Sequence, residues 1–361
     1  MILNNRIFTN RDCCGFMRQS FYIVLFLLRM VWYNTKIVNI AERAMYEDKE
    51  RYYKETGKDR LRYASYKGVW KQQKQRKARA QMVKILSDST SDLSKELIEK
   101  YKIGIIPLYV VLGENEYKDG INIKPEDLYK WSDEHGQTPK TAAPSVADIE
   151  EFLDKDSKDE YIIFTISSSM SASNNNARLA AEDLGMEDRV FVIDSENLST
   201  CIGLQIIRAV ELAAEGKDAK EIVEYLDELK KRVRASFVID TLVYLYRGGR
   251  CSGLAAFFGS ALKLHPRISV TEGAMHPEKK YRGKGEKYVM EYVKDMEPEL
   301  LGAENARVFI THSGCDREVV NAVKDYLESL EHFDEIIETR AGAVISSHCG
   351  PGTLGVLFIS K

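Results

Sequence analysis

From Met82 onward the chain alternates short runs rich in β-branched residues with longer amphipathic segments, and this rhythm limits the fold more than any other feature. A two-residue period places side chains alternately on the two faces of a strand, whereas a period near 3.6 marks one face of a helix. Strands separated by helix-length crossovers pair in parallel, so the class is α/β. Strands are expected at 83–86, 105–111, 161–165, 190–193 and 237–239, with helices near 91–100, 125–134, 145–153, 173–184, 198–214 and 219–233. Asp218, following Gly216 and Lys217, is placed as the N-cap of the last helix. After about residue 240 the texture changes. Glycine turns at Arg247-Gly248-Gly249-Arg250 and Glu272-Gly273 separate shorter strands near 268–271, 307–311, 335–338 and 354–359. Two α/β domains are expected: a parallel-sheet domain over 82–240 and a mixed-sheet domain over 241–361.

Residues 1–81 have a different pattern. The apolar stretch 21–33 is shorter than the ~20 residues a spanning helix needs, and Arg29 interrupts it. Basic residues precede it, as in a signal peptide, but no small-residue cleavage site comes after it. From 34 to 81 there are 14 Lys or Arg against 6 Asp or Glu. One reading is a membrane anchor with a basic arm for the lipid surface. The other is a solvated helix, or upstream sequence that is not part of the working protein.

Composition removes several classes of function. A net charge of −3 and a pI near 6.2 argue against a general nucleic-acid binder, which is normally strongly basic. The six cysteines form no CxxC, and the six histidines show no HExxH-type ligand spacing. Neither a metal nor a disulfide framework is indicated, and a reducing, cytoplasmic setting is expected. There is also no Walker A motif and no nucleotide GxGxxG.

Ligands of open α/β sheets bind beyond the carboxyl ends of the strands, which directs attention to the polar turns there. In Ser87-Asp88-Ser89-Thr90-Ser91-Asp92, Asp88 either caps the next helix or orients neighbouring hydroxyls. In Pro139-Lys140-Thr141-Ala142-Ala143-Pro144-Ser145, Thr141 lies in a loop stiffened by two prolines, with Ser145 as a helix cap. Ser167-Ser168-Ser169-Met170-Ser171-Ala172-Ser173 comes after the strand YIIFTI and opens a helix, where free N–H groups favour an anion. It lacks the glycines of a GxSxG elbow, so carboxylate or phosphate binding suits it better than a nucleophilic serine. In Ser346-Ser347-His348-Cys349-Gly350-Pro351-Gly352, His348 is either structural or close to a ligand. On an extended segment His348 and Cys349 face opposite ways, which argues against a cooperating dyad. Arg250, beside paired glycines, has donors suited to clamping an anion. The apolar run 254–262, with Phe257 and Phe258, reads as a buried core helix or as the wall of an apolar tunnel.

Taken in order, these residues resemble the DegV family of bacterial fatty-acid-binding proteins. The resemblance runs through Ser87-Asp88-Ser89-Thr90, Ile106-Pro107-Leu108-Tyr109, Tyr117-Lys118-Asp119-Gly120, Lys140-Thr141 with Pro144-Ser145, and Ile166-Ser167-Ser168. It continues through Val192-Ile193-Asp194-Ser195, Tyr244-Leu245-Tyr246-Arg247-Gly248-Gly249-Arg250, Lys280-Tyr281-Arg282-Gly283 and His348-Cys349-Gly350-Pro351-Gly352. It covers 82–361 and none of 1–81.

The resemblance implies a two-domain fold holding one long-chain fatty acid between the domains. A fatty acid kinase is the implied partner and makes the acyl phosphate, so this chain is not the catalyst. No cofactor is implied, and membrane contact is transient. Carried over by position, Thr141 and Ser168 hydrogen-bond the carboxylate, with Asp88, Arg250 and His348 in the supporting polar network. The sequence departs from the family pattern at Ala142, Ala172, Ser173, Asn174 and Ser347. The runner-up reading is an enzyme related to dihydroxyacetone kinase substrate domains, with phosphoryl or keto-sugar chemistry at His348.

Overall fold

The computed structural model of the protein describes residues 82–251 and 264–361. The expected anchor and basic arm in 1–81, and the apolar run 254–262, lie outside the described residues. The first half runs β1 (Val83–Asp88), α1 (Lys95–Tyr101), β2 (Gly104–Ile106), β3 (Tyr109–Leu112), β4 (Asn115–Lys118), α2 (Pro125–His135), β5 (Lys140–Ala142), α3 (Val146–Glu150), β6 (Glu160–Thr165), α4 (Ser173–Asp183), β7 (Val190–Asp194), α5 (Thr200–Ala214) and α6 (Ala219–Leu229). The second runs β8 (Val233–Val238), α7 (Leu242–Gly248), β9 (Leu264–Thr271), β10 (Ala274–Arg282), α8 (Glu286–Asp295), α9 (Glu297–Leu301), β11 (Ala303–His312), α10 (Arg317–Ser329), β12 (Ile336–Arg340), α11 (Ala343–Cys349) and β13 (Leu354–Ser360). Among the described residues no helix is long and apolar enough to cross a membrane.

The first sheet has the order β2-β1-β6-β7 and is parallel throughout, as the strand–helix alternation demands. Its central strand is buried on both faces. Ile163 packs with the layer formed by α3 and α4, while Ile162 and Phe164 pack on the opposite side with α5 and α6. Capping boxes start two of these helices, Ser145 with Asp148 on α3 and Asp218 with Glu221 on α6.

The single strand expected at 105–111 is two strands. Pro107 has no N–H to donate, so the ladder ends at Ile106 and the chain re-pairs at Tyr109. β3 then forms a small antiparallel sheet in the order β4-β3-β5. Thr141, expected in a loop, therefore sits on β5 opposite Val110.

The second sheet is mixed, with the order β10-β9-β8-β13-β11-β12 and a parallel pair only at β11–β12. β8 belongs to it, with Ser236 opposite both Val356 and Ser269. By strand pairing the change from the parallel to the mixed sheet thus falls before Val233. The residues expected to end the preceding helix form a short 3-10 turn at Lys230–Arg232 that delivers the chain into β8. α5 lies between the two sheets, packed against β1 and β6 on one side and β8 and β13 on the other. Its first half is buried all round, which explains why Cys201, Ile202, Leu204, Ile206 and Ile207 leave no polar face there.

A smaller apolar cluster joins the three-stranded sheet to α11 through Leu108, Val110, Leu112, Leu128, Ala343 and Val344. Burying each large aliphatic side chain there contributes about 1.5–3 kcal/mol. This cluster brings the small sheet and α11 side by side, although Thr141 and His348 are 207 residues apart in sequence.

Candidate functional site

The best-defined polar contact at this junction joins Thr141 Oγ1 to His348 Nε2 at 2.8 Å. His348 lies in the last turn of α11 rather than on an extended segment, so the argument that it and Cys349 face opposite ways does not apply. The His-Cys dyad fails for another reason: burial pushes the Cys349 thiol up to about 12, so it is no ready nucleophile. His348 Nδ1 is sealed from solvent and has no hydrogen-bond partner among the described residues. A proton on Nδ1 would be a buried orphan donor, so the imidazole carries its proton on Nε2 and donates to Thr141 Oγ1. The Thr141 hydroxyl is then free to donate onward. Desolvation, reinforced by the charge of Arg250, lowers the His348 pKa from 6.5 to about 4, keeping the ring neutral at physiological pH.

Arg250 comes directly after the left-handed Gly249 that closes α7, and its guanidinium donates to the Gly248 carbonyl at 2.5 Å. Gly248 is needed for the packing, since a Cβ there would overlap His348 Nδ1. Thr141, His348 and Arg250 are thus brought together.

Ser168 is exposed, and its backbone N–H donates to Asp194 Oδ1 at 3.2 Å. Its two neighbours are already engaged across the sheets. Ser167 Oγ donates to the Gly273 carbonyl at 2.7 Å, and Ser169 Oγ donates to the same oxygen. Among the described residues no hydrogen bond joins Ser168 to Thr141 or His348. Asp88 is a buried strut: it accepts from Thr90 N and Oγ1 and from Ile166 N at 2.8 Å, linking β1 to the end of β6. Burial raises its pKa to about 6. Two of the departures from the family pattern are accommodated locally, with Asn174 Nδ2 donating to Thr165 Oγ1 and Ser347 Oγ donating to the Ala343 carbonyl.

One turn of helix from His348, a cavity of about 20 Å³ is lined by Leu198, Phe237, Ile345, Cys349 and Leu357, with Ser199 and Thr311 at its polar side. It lies between α5, the second sheet and α11. The sequence motifs include two carboxylates to which they assign no role, Asp92 and Asp119, which reach the first turn of α11. The signal available was that both lie within the polar motifs 87–92 and 117–120. Among the described residues no group of His, Cys, Asp or Glu side chains is arranged to hold a metal ion.

Residues 82–361 match the sequence profile of the DegV family, described as uncharacterised proteins. The fatty acid-binding protein of Thermotoga maritima is 34% identical over 281 residues, spanning 76% of this chain and 96% of that relative. A fatty-acid-binding DegV family protein from Thermus thermophilus has the same fold, with a TM-score of 0.71 at 31% identity over 78% of this chain and 100% of its own. DegV of Bacillus subtilis, described as a fatty acid binding protein, gives 0.68 at 28% identity with the same coverage. This chain belongs to the DegV family.

Proposed function

We propose that this chain binds a long-chain fatty acid by its carboxylate and presents it in the cytoplasm to a fatty acid kinase, which forms the acyl phosphate. The observation that carries this reading is the Thr141–His348 contact. A neutral imidazole donating through Nε2 orients the Thr141 hydroxyl as a donor, and a carboxylate withdrawn from water needs such donors. Arg250 supplies the opposite charge by exchanging the Gly248 carbonyl for the carboxylate. Ser168, with a hydroxyl exposed at the start of the α4 region, is the second donor. Fatty acid binding by the relatives above supports the same reading.

Burying the acyl chain contributes about 0.8 kcal/mol per CH₂. The cavity beside α11 takes only about one small group, so the chain also needs space opened by neighbouring side chains. In this reading the protein holds the ligand and the kinase performs the chemistry; any contact with a membrane is transient. Mass spectrometry of an organic extract from the denatured, purified protein tests it. One fatty acid per chain is expected, from cells or after loading, and its absence in both cases would sink the reading. The double substitution Thr141→Ala with Ser168→Ala then tests the site, with a loss of affinity as the expected outcome.

A further inference from the structure

α11 carries His348 in its last turn, while its first turn is held from outside the helix. The Gly342 N–H donates to Asp92 Oδ1 and the Ala343 N–H to Asp119 Oδ1, each at 2.7 Å. The second oxygen of each acid is also engaged. Ser199 Oγ donates to Asp92 Oδ2 at 2.6 Å, and Ser89 Oγ to Asp119 Oδ2 at 2.8 Å. A Cβ on Gly342 would stand 3.2 Å from oxygens of both carboxylates, so the two acids converge on one stretch of backbone. Asp92 and Ser199 both have positive φ, 50° and 55°. Such backbone is costly for a non-glycine residue and persists where its surroundings over-determine it.

We propose that Asp92 and Asp119 are positioning residues for the ligand contact: together they fix the placement of α11 so that His348 meets Thr141. The proposal rests on reading Thr141–His348 as the carboxylate contact. A seven-residue helix has little stability of its own, and its first N–H groups need acceptors. With His348 Nδ1 pressed against Gly248, a shift of about an ångström would break the 2.8 Å bond to Thr141. The titratable neighbours of the pair are each other, Asp88 and the Cys349 thiol, and Arg250 is the charged neighbour of His348. Burial raises both acids, Asp92 to about 8, so the pair retains a proton near neutrality. A protonated Asp92 keeps the same partners with one bond reversed: Oδ1 still accepts from Gly342, while Oδ2 now donates to Ser199 Oγ. An amide, with one acceptor and one donor group, mimics that form.

The test compares Asp92→Ala and Asp119→Ala with Asp92→Asn and Asp119→Asn in the full chain. Two quantities are read: affinity for carboxyl-¹³C octadecanoic acid, and the imidazole titration of His348 by NMR in ligand-free protein. Each alanine variant is expected to weaken binding about tenfold or more, the scale of one charge-assisted hydrogen bond. It should also move the His348 midpoint up from about 4 towards 6.5, because a loosened helix admits water to the ring. The asparagine variants should recover most of both changes. Folded alanine variants with an unmoved His348 midpoint would overturn the proposal, as would asparagine variants no better than alanine. If the alanine variants do not fold, Ser89→Ala and Ser199→Ala loosen the same acids more gently and must move the midpoint upward. The titration needs no ligand, so a shifted midpoint in a protein that binds no fatty acid would defeat the functional reading and leave the positioning role standing.

Discussion

Of the polar contacts that bridge distant parts of the described residues, two differ in what they leave free. At the Ser167–Ser169 turn, two hydroxyls converge on the Gly273 carbonyl, and burial of Ser167 leaves it no other task. At the other contact, Thr141 meets an imidazole that is neutral, lacks a partner on Nδ1 among the described residues and has an exposed arginine beside it. The first consumes its donors on a backbone acceptor and acts as a strut. The second retains an unused donor and is suited to taking a ligand. Both depend on a glycine that allows close approach, Gly273 against Ser167 Oγ and Gly248 against His348 Nδ1.

Alanine at those two glycines should separate the roles, and these are the largest effects expected. At Gly273 the φ of +76° disfavours a side chain, and a Cβ would lie 2.6 Å from Ser167 Oγ. Gly273→Ala should therefore cost about 2–4 kcal/mol of stability in urea denaturation, with fatty-acid affinity of the folded protein within about threefold of wild type. Gly248→Ala should cost about 1–3 kcal/mol through overpacking and weaken affinity about tenfold or more by displacing His348. Equal losses of affinity in the two variants would erase the distinction between strut and ligand contact.

The contrast also explains what was legible in the sequence. The parallel sheet was readable because its strands and crossover helices have different periods, and the caps at Ser145 and Asp218 are local in sequence. Thr141 and His348 were reached through resemblance, since no period or spacing links residues 207 apart. Their elements were misplaced because both are short: β5 has three residues and α11 has seven, too few to show a period. The split at Pro107 was visible in principle, but the apolar residues on either side suggested one continuous strand. Asp92 and Asp119 stand in the sequence motifs but carry no role there, because their partners are backbone N–H groups at 342 and 343, and a backbone donor leaves no mark on the sequence.

The second expected effect depends on pH. The folded value for His348, about 4, lies below its ordinary 6.5, so between these limits the unfolded chain binds the proton more tightly. Stability contributed at this site is therefore lost as pH falls from 6.5 to 4, by at most about 3 kcal/mol. Asp92 acts in the opposite direction: raised to about 8, its contribution is present at low pH and is lost as pH rises towards that value. The total profile mixes the two slopes, so the informative quantity is the difference between wild type and His348→Gln. That difference should vary across pH 4–6.5 and be flat above 7. A difference that is flat throughout would mean the ring is not held neutral by burial, weakening the argument that Nε2 donates to Thr141.

The smallest expected effects come from the serine turn, where the comparison can be made within three residues. Ser167 donates its hydroxyl across the sheets from a buried position, so Ser167→Ala should cost about 1 kcal/mol of stability with little change in affinity. Ser168 is exposed and, among the described residues, only its backbone N–H is engaged, so Ser168→Ala should alter stability by less than about 0.5 kcal/mol. If its hydroxyl donates to the bound carboxylate, the same substitution should still lower affinity, by about fivefold for a net hydrogen bond of about 1 kcal/mol. Calorimetric titration with octadecanoic acid, alongside urea denaturation of the same preparations, measures both quantities. A Ser168→Ala protein that binds as tightly as wild type would remove Ser168 from the site and leave Thr141, His348 and Arg250 to hold the carboxylate, consistent with the absence of any hydrogen bond joining Ser168 to Thr141 or His348 among the described residues.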